Sequence, residues 1–123
     1  MPNLAEGIAA FQAGDYKTAV KILKPIADCG EAEAQCIIAN IYHLGLSLER
    51  NILEAVKWYK KASEQGYGLA SNNLAGIFLS GDNGIEVDRA EAEKWYKKAR
   101  EQGFLHTPSE TYLEPRFLLS SPE

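Results

Sequence analysis

Residues 55–66 read Ala-Val-Lys-Trp-Tyr-Lys-Lys-Ala-Ser-Glu-Gln-Gly, and residues 92–103 read Ala-Glu-Lys-Trp-Tyr-Lys-Lys-Ala-Arg-Glu-Gln-Gly, so ten of twelve positions are identical at a spacing of 37. Chance does not produce such a match. The segments before these blocks repeat as well. Ala34, Ile38, Ala39, Tyr42 and Gly45 return 36 residues later as Ala70, Leu74, Ala75, Phe78 and Gly81. A fainter copy lies upstream, where Ala19, Ile26 and Gly30 precede Ala55, Ala62 and Gly66 by the same 36 residues. A period in this range, without strand-like alternation, belongs to a helix-turn-helix solenoid.

Each unit divides into two helices by its apolar spacing. Ala55, Tyr59 and Ala62 fall at i, i+4 and i+7, flanked by Trp58, and Ala70, Leu74 and Phe78 follow the same rule. Small residues let neighbouring helices approach closely, while Trp, Tyr and Leu fill the gaps between them. Gly30, Gly66 and Gly103 stand where a helix ends in a left-handed residue. Asn51 and Asp88 stand where second helices need an N-cap. These signals predict helices at roughly 3–13, 16–29, 32–45, 52–65, 68–80 and 89–102. The expected fold is all-α, a short right-handed α-solenoid of about three antiparallel helix pairs. Its repeat domain covers 1–103, in units of about 3–30, 31–66 and 67–103, and a tail covers 104–123.

Composition narrows the functions open to such a chain. Of its 123 residues 46% are apolar and 24% charged, the balance of a globular protein and not of a disordered one. A net charge of -4 argues against a nucleic-acid partner, which selects for basic excess. No apolar run approaches membrane-spanning length, and Met1-Pro2-Asn3-Leu4-Ala5-Glu6 does not read as a signal peptide. The expected location is therefore cytoplasmic. Cys29 and Cys36 read best as buried free thiols, with a disulfide between them as the lesser option. The only histidines, His43 and His106, are not spaced as metal ligands, so neither a metal nor a cofactor is expected.

The run Gly45-Leu-Ser-Leu-Glu-Arg-Asn51-Ile-Leu-Glu-Ala55-Val-Lys-Trp58-Tyr59-Lys-Lys-Ala62-Ser-Glu-Gln-Gly66, followed by Ala70-Ser-Asn-Asn-Leu74-Ala75, resembles the Sel-1-like repeat, a branch of the tetratricopeptide-type solenoids. The resemblance covers residues 31–103. Upstream, Gly14-Asp15-Tyr16-Lys-Thr-Ala19 is more similar to the tighter turn of an ordinary tetratricopeptide repeat. Ser47 stands where the family usually has glycine, and the loop Gly81–Asp88 is one residue longer than its predecessor. Both changes fall in loops, which tolerate them. One branch of the family links its helices through cystine bridges; Cys29 and Cys36 do not match that pattern, so no bridge is implied.

The resemblance implies a non-enzymatic module or scaffold that binds a peptide or partner protein in a concave groove lined by the first helices. By analogy the groove positions are Glu33, Asn40 and His43 in one unit, and Leu69, Asn72, Asn73 and Gly76 in the next. Asparagine amides both donate and accept, which suits a peptide backbone of any sequence, and Gly76 would let that backbone come close. Asn72 and Asn73 could instead satisfy nearby helix ends. The alternative function is structural, a homo-oligomer formed through the end faces or the tail.

Other motifs have plainer readings. Lys57, Lys60 and Lys61, echoed by Lys94, Lys97 and Lys98, could bind an acidic partner, but glutamates interleave them, with Glu93 and Lys97 at the favourable i, i+4 spacing. A solvated outer face is the better reading. Trp58-Tyr59 and Trp95-Tyr96 repeat in register with alanines and read as packing between repeats. Asp82-Asn83-Gly84 with Glu86 and Asp88 lacks calcium-loop spacing and reads as a turn. In the tail, Tyr112, Phe117, Leu118 and Leu119 could cap the last helix pair or dock on a neighbouring chain, and capping is the preferred reading.

Overall fold

The computed structural model describes residues 2–104. The capping or docking expected of Tyr112, Phe117, Leu118 and Leu119 lies outside the described residues. The described residues form six helices: α1 (Leu4–Gln12), α2 (Tyr16–Asp28), α3 (Ala32–Leu44), α4 (Ile52–Glu64), α5 (Gly68–Ser80) and α6 (Arg89–Glu101). Helices α1 and α2, α3 and α4, and α5 and α6 pack as pairs, while α2 against α3 and α4 against α5 join one pair to the next. This is the helical-repeat architecture that the period requires, with no strand among the described residues.

The local chemistry explains the boundaries. Asn51 Oδ1 accepts from the Glu54 N–H at 3.0 Å, and Asp88 Oδ1 accepts from the Glu91 N–H at 3.0 Å, so the two repeated second helices start on the same cap. Helix α1 starts on a capping box in which Asn3 and Glu6 satisfy each other's backbone N–H at 2.9 and 3.0 Å. The interhelix loops are built alike, since the Asn51 N–H donates to Tyr42 O and the Asp88 N–H to Phe78 O, each at 2.9 Å. The additional residue of the later loop is taken up in a tight turn, where Asp82 and Ile85 exchange backbone hydrogen bonds at 2.8 Å.

The two kinds of helix are buried to different extents. The second helices bury a stripe: Ala55, Trp58, Tyr59 and Ala62 on α4, then Ala92, Trp95 and Ala99 on α6. The first helices are buried on every side, continuously from Ala34 to Ile41 on α3 and from Leu69 to Ile77 on α5. Ala34, Ala39, Ala55, Ala62, Ala70 and Ala75 are fully enclosed, which is where small side chains let helix axes draw together. Phe104, the first residue of the expected tail, packs half-buried against this core.

Candidate functional site

The seven groove positions lie on the two buried first helices. Leu69, Asn72, Asn73 and Gly76 form one stripe of α5, at i, i+3, i+4 and i+7. On α3, Asn40 and His43 are buried and Glu33 is partly exposed. Six of the seven positions are thus buried, through the middle turns of α3 and α5. Asn40 is 1% exposed and Asn73 0%.

Three of these residues converge on one phenol, that of Tyr59. The Tyr59 hydroxyl donates to Asn40 Oδ1 at 3.4 Å. The same hydroxyl meets His43 Nδ1 at 3.3 Å, a contact whose donor is set by the imidazole tautomer. The two rings meet edge to face, with centroids 5.9 Å apart. The Asn73 amide lies against the same hydroxyl and favours its ionised form, but burial dominates and raises the Tyr59 pKa well above its ordinary value. Burial first, and the nearby Arg50 charge second, lower His43 to about 4, with Asp82 opposing. At neutral pH the cluster thus offers an uncharged imidazole, a protonated phenol and two amides. Such groups hold other amides well and move protons poorly. Asn40 Nδ2 and Asn73 Oδ1 have no hydrogen-bond partner, and Asn73 Nδ2 has only its approach to the Tyr59 hydroxyl.

A second polar system, which residue types alone do not announce, joins the repeats. Gln65 Nε2 donates to Gln35 Oε1 at 2.9 Å, and Gln35 Nε2 donates to Ala27 O at 3.1 Å, tying α4 to α3 and α3 to α2. One unit later, Gln102 Nε2 donates to Ser63 O at 2.9 Å and Gln102 Oε1 accepts from Ser71 Oγ at 2.6 Å. Ser71 Oγ in turn meets Ser63 Oγ at 2.6 Å. The signal was present: the repeated Glu-Gln-Gly keeps its glutamine because that side chain reaches from each second helix to its first. In the first unit Cys29 takes this place. It is exposed, which corrects the expectation of two buried thiols; Cys36 alone is buried, and both are unbridged. Position explains the difference, since Cys29 caps the end of α2 and does not lie on its packed stripe.

The opposite edge of the units is fastened by charge. Arg50 pairs with Asp82 across the two interhelix loops and also donates from Nε to His43 O at 2.8 Å, at the end of α3. On the outer face, Lys24, Lys57 and Lys61 surround the Trp58 ring at 5.5, 5.7 and 4.7 Å, and Lys94 and Lys98 flank Trp95 at 5.2 and 5.1 Å. The surface pairs on these helices are Lys57 with Glu54 and Lys94 with Glu91 at i, i+3, in place of the expected Glu93–Lys97. Among the described residues no helix is long and apolar enough to cross a membrane, and no cluster of side chains could hold a metal ion.

Comparison with known proteins agrees with this architecture. A model of the Sel1 repeat matches residues 32–67 and 68–104. The structure of a Sel1 repeat protein from Oxalobacter formigenes superposes with a TM-score of 0.75 at 38% identity, over 81% of this chain and 41% of that one. A protective antigen with an SLR fold from uropathogenic Escherichia coli superposes at 0.76 with 30% identity, over 81% of this chain and 22% of that one. Among curated proteins, chitin synthase regulatory factor 3 of Schizosaccharomyces pombe is 36% identical over 66 residues, 53% of this chain. The chain spans 7% of that protein. Two consecutive repeat matches covering more than half of the chain, on a fold shared with solved Sel1 proteins, make it a member of the Sel1 repeat family.

Proposed function

We propose that the chain is a protein-binding module that holds an extended peptide segment along the inner face of α3 and α5. Sel1 repeats generally mediate protein–protein interaction. The observation that carries the finer reading is the pair of orphaned amide atoms, Asn40 Nδ2 and Asn73 Oδ1, one residue on each first helix. Leaving a buried polar atom without a partner costs about 1–3 kcal/mol. A peptide backbone brings the missing donors and acceptors without any demand on sequence. No residue is assigned a catalytic role. The two unbridged thiols suit a reducing compartment such as the cytoplasm.

The test compares partners captured from the native source by the wild-type chain and by the Asn40→Ala, Asn73→Ala double variant. Circular dichroism verifies that the variant keeps its helices. Loss of specific partners from the variant is the expected result. An unchanged partner set on a folded variant refutes the peptide-holding face. The alternative of self-association through end faces predicts a concentration-dependent mass in light scattering that the double variant does not alter.

A further inference from the structure

We propose that the outer face of the second helices, centred on Lys61 over Trp58 and Lys98 over Trp95, is a second docking surface that takes an acidic segment of a partner protein. This surface is separate from the inner face of α3 and α5, so it stands or falls apart from the peptide-holding reading above.

Charge is sorted between the two kinds of helix. Helices α2, α4 and α6 together carry eleven lysines and arginines against six acidic side chains, whereas the rest of the described chain carries Arg50 alone against eight acidic ones. The overall negative charge therefore conceals a basic face. The period aligns its lysines: Lys21, Lys57 and Lys94 hold equivalent positions in successive units, as do Lys24, Lys60 and Lys97.

Interleaved carboxylates neutralise this face only in part. Lys24 pairs with Asp28, Lys57 with Glu54 and Lys94 with Glu91. Among the described residues Lys60, Lys61, Lys97 and Lys98 make no ion pair. Lys61 and Lys98 are held instead over indoles, 4.7 Å from the Trp58 centroid and 5.1 Å from that of Trp95. Lys24 reaches the Trp58 ring from α2 at 5.5 Å, so the face continues across the boundary between two units. A lysine laid over a ring keeps its full charge and has already given up side-chain freedom. Pairing it with an incoming carboxylate therefore costs less ordering than pairing a free lysine.

The same pattern selects the occupant. Glu64, Glu93 and Glu101 remain exposed on these helices and repel a continuous anionic plane, whereas a single acidic segment can pass between them. Leu53 is the one large apolar side chain exposed on these three helices, so a bilayer would gain little from them by insertion.

The full-length chain is titrated with a fluorescent peptide of alternating aspartate and glycine, and with its asparagine counterpart, in about 50 and about 200 mM NaCl. Only the aspartate peptide is expected to bind, more weakly at the higher salt, with the indole N–H resonances of Trp58 and Trp95 shifting as it does. Lys61→Gln, Lys98→Gln should weaken binding about tenfold. Lys17→Gln, Arg89→Gln removes the same charge from the opposite ends of α2 and α6 and should weaken it less than about twofold. Absence of binding, or equal losses in the two variants, overturns the proposal. Vesicles of phosphatidylcholine and phosphatidylserine that sediment the wild-type chain but not Lys61→Gln, Lys98→Gln overturn it in favour of a membrane. A mass that doubles in light scattering at low salt, and reverts in that variant, overturns it in favour of a second copy. Asn40→Ala, Asn73→Ala should leave the affinity for the aspartate peptide unchanged, so failure here is distinct from failure of the inner face.

Discussion

Replacing Gln102 with alanine should loosen the last helix pair by an amount that the structure lets us work out. The side chain makes two hydrogen bonds, to Ser63 O and from Ser71 Oγ. At about 1 kcal/mol net for each bond, Gln102→Ala should cost about 2 kcal/mol. Ser71→Ala should cost a similar amount, because Ser71 Oγ bonds both Gln102 and Ser63 Oγ. The two substitutions share the Gln102–Ser71 bond, so the double variant should lose three bonds and not four. Its cost should be about 3 kcal/mol, about 1 kcal/mol short of additivity. Urea denaturation followed by circular dichroism measures all three, with midpoints shifting at constant slope. Gln12→Ala, on the exposed end of α1, serves as the control. Strict additivity, or a Gln102 cost no larger than that of the control, would refute the polar seam as a link between repeats.

Three further outcomes follow from the packing and the charges. A Cβ on Gly7 would lie 2.4 Å from Leu23 Cδ2 in a fully buried contact, so Gly7→Ala should destabilise by about 1–2 kcal/mol despite its better helix propensity, measured as a lower denaturation midpoint. His43 titrates near 4 in the folded chain against an ordinary value of 6.5. The unfolded chain therefore takes up the extra proton first, and stability is complete above pH 6.5 and falls by about 3 kcal/mol as pH drops to 4. His43→Leu should flatten this part of the stability profile, and an unaltered slope would exclude His43 as its source. Hydrogen bonding to Arg50 holds the Asp82 carboxyl below its ordinary value, so its contribution persists above that value and disappears on further acidification. Arg50→Ala should return the Asp82 titration, followed by NMR, to the ordinary range at a stability cost of about 1 kcal/mol.

Much of this fold is legible in the period alone. Asn51 and Asp88 cap their helices as their residue types and positions demand, and Gly30, Gly66 and Gly103 adopt positive φ at the helix ends. The packing of Trp58 and Tyr59 was readable because they recur in register with alanine. The inner face was less legible for a physical reason. The groove positions Asn40, Asn72 and Asn73 come by analogy with tetratricopeptide repeats, and the apolar period alone does not show what such polar residues on a first helix touch. In the structure Asn40 and His43 of α3 and Asn73 of α5 meet at the hydroxyl of Tyr59 on α4, and helix periodicity holds no information about partners on other helices. The glutamine seam is hidden similarly: the three bonds of Gln65 and Gln102 span 30 to 39 residues of sequence, and only the recurrence of the glutamine in both repeats hints at them. Cys29 shows the opposite failing, a residue-type tendency toward burial overruled by a helix-end position.

Asn73 brings stability and function into direct opposition, and the sign of one substitution tests it. Leucine matches asparagine closely in shape and carries no polar atoms. Asn73→Leu removes an unmet carbonyl oxygen from a fully buried site and adds apolar contact, which should stabilise the chain by about 1–2 kcal/mol. Chemical denaturation measures the change as a raised midpoint at constant slope. A loss of stability would mean that the approach of the Asn73 amide to the Tyr59 hydroxyl outweighs the cost of the unmet oxygen, and that the residue is kept for the fold and not for a partner from outside.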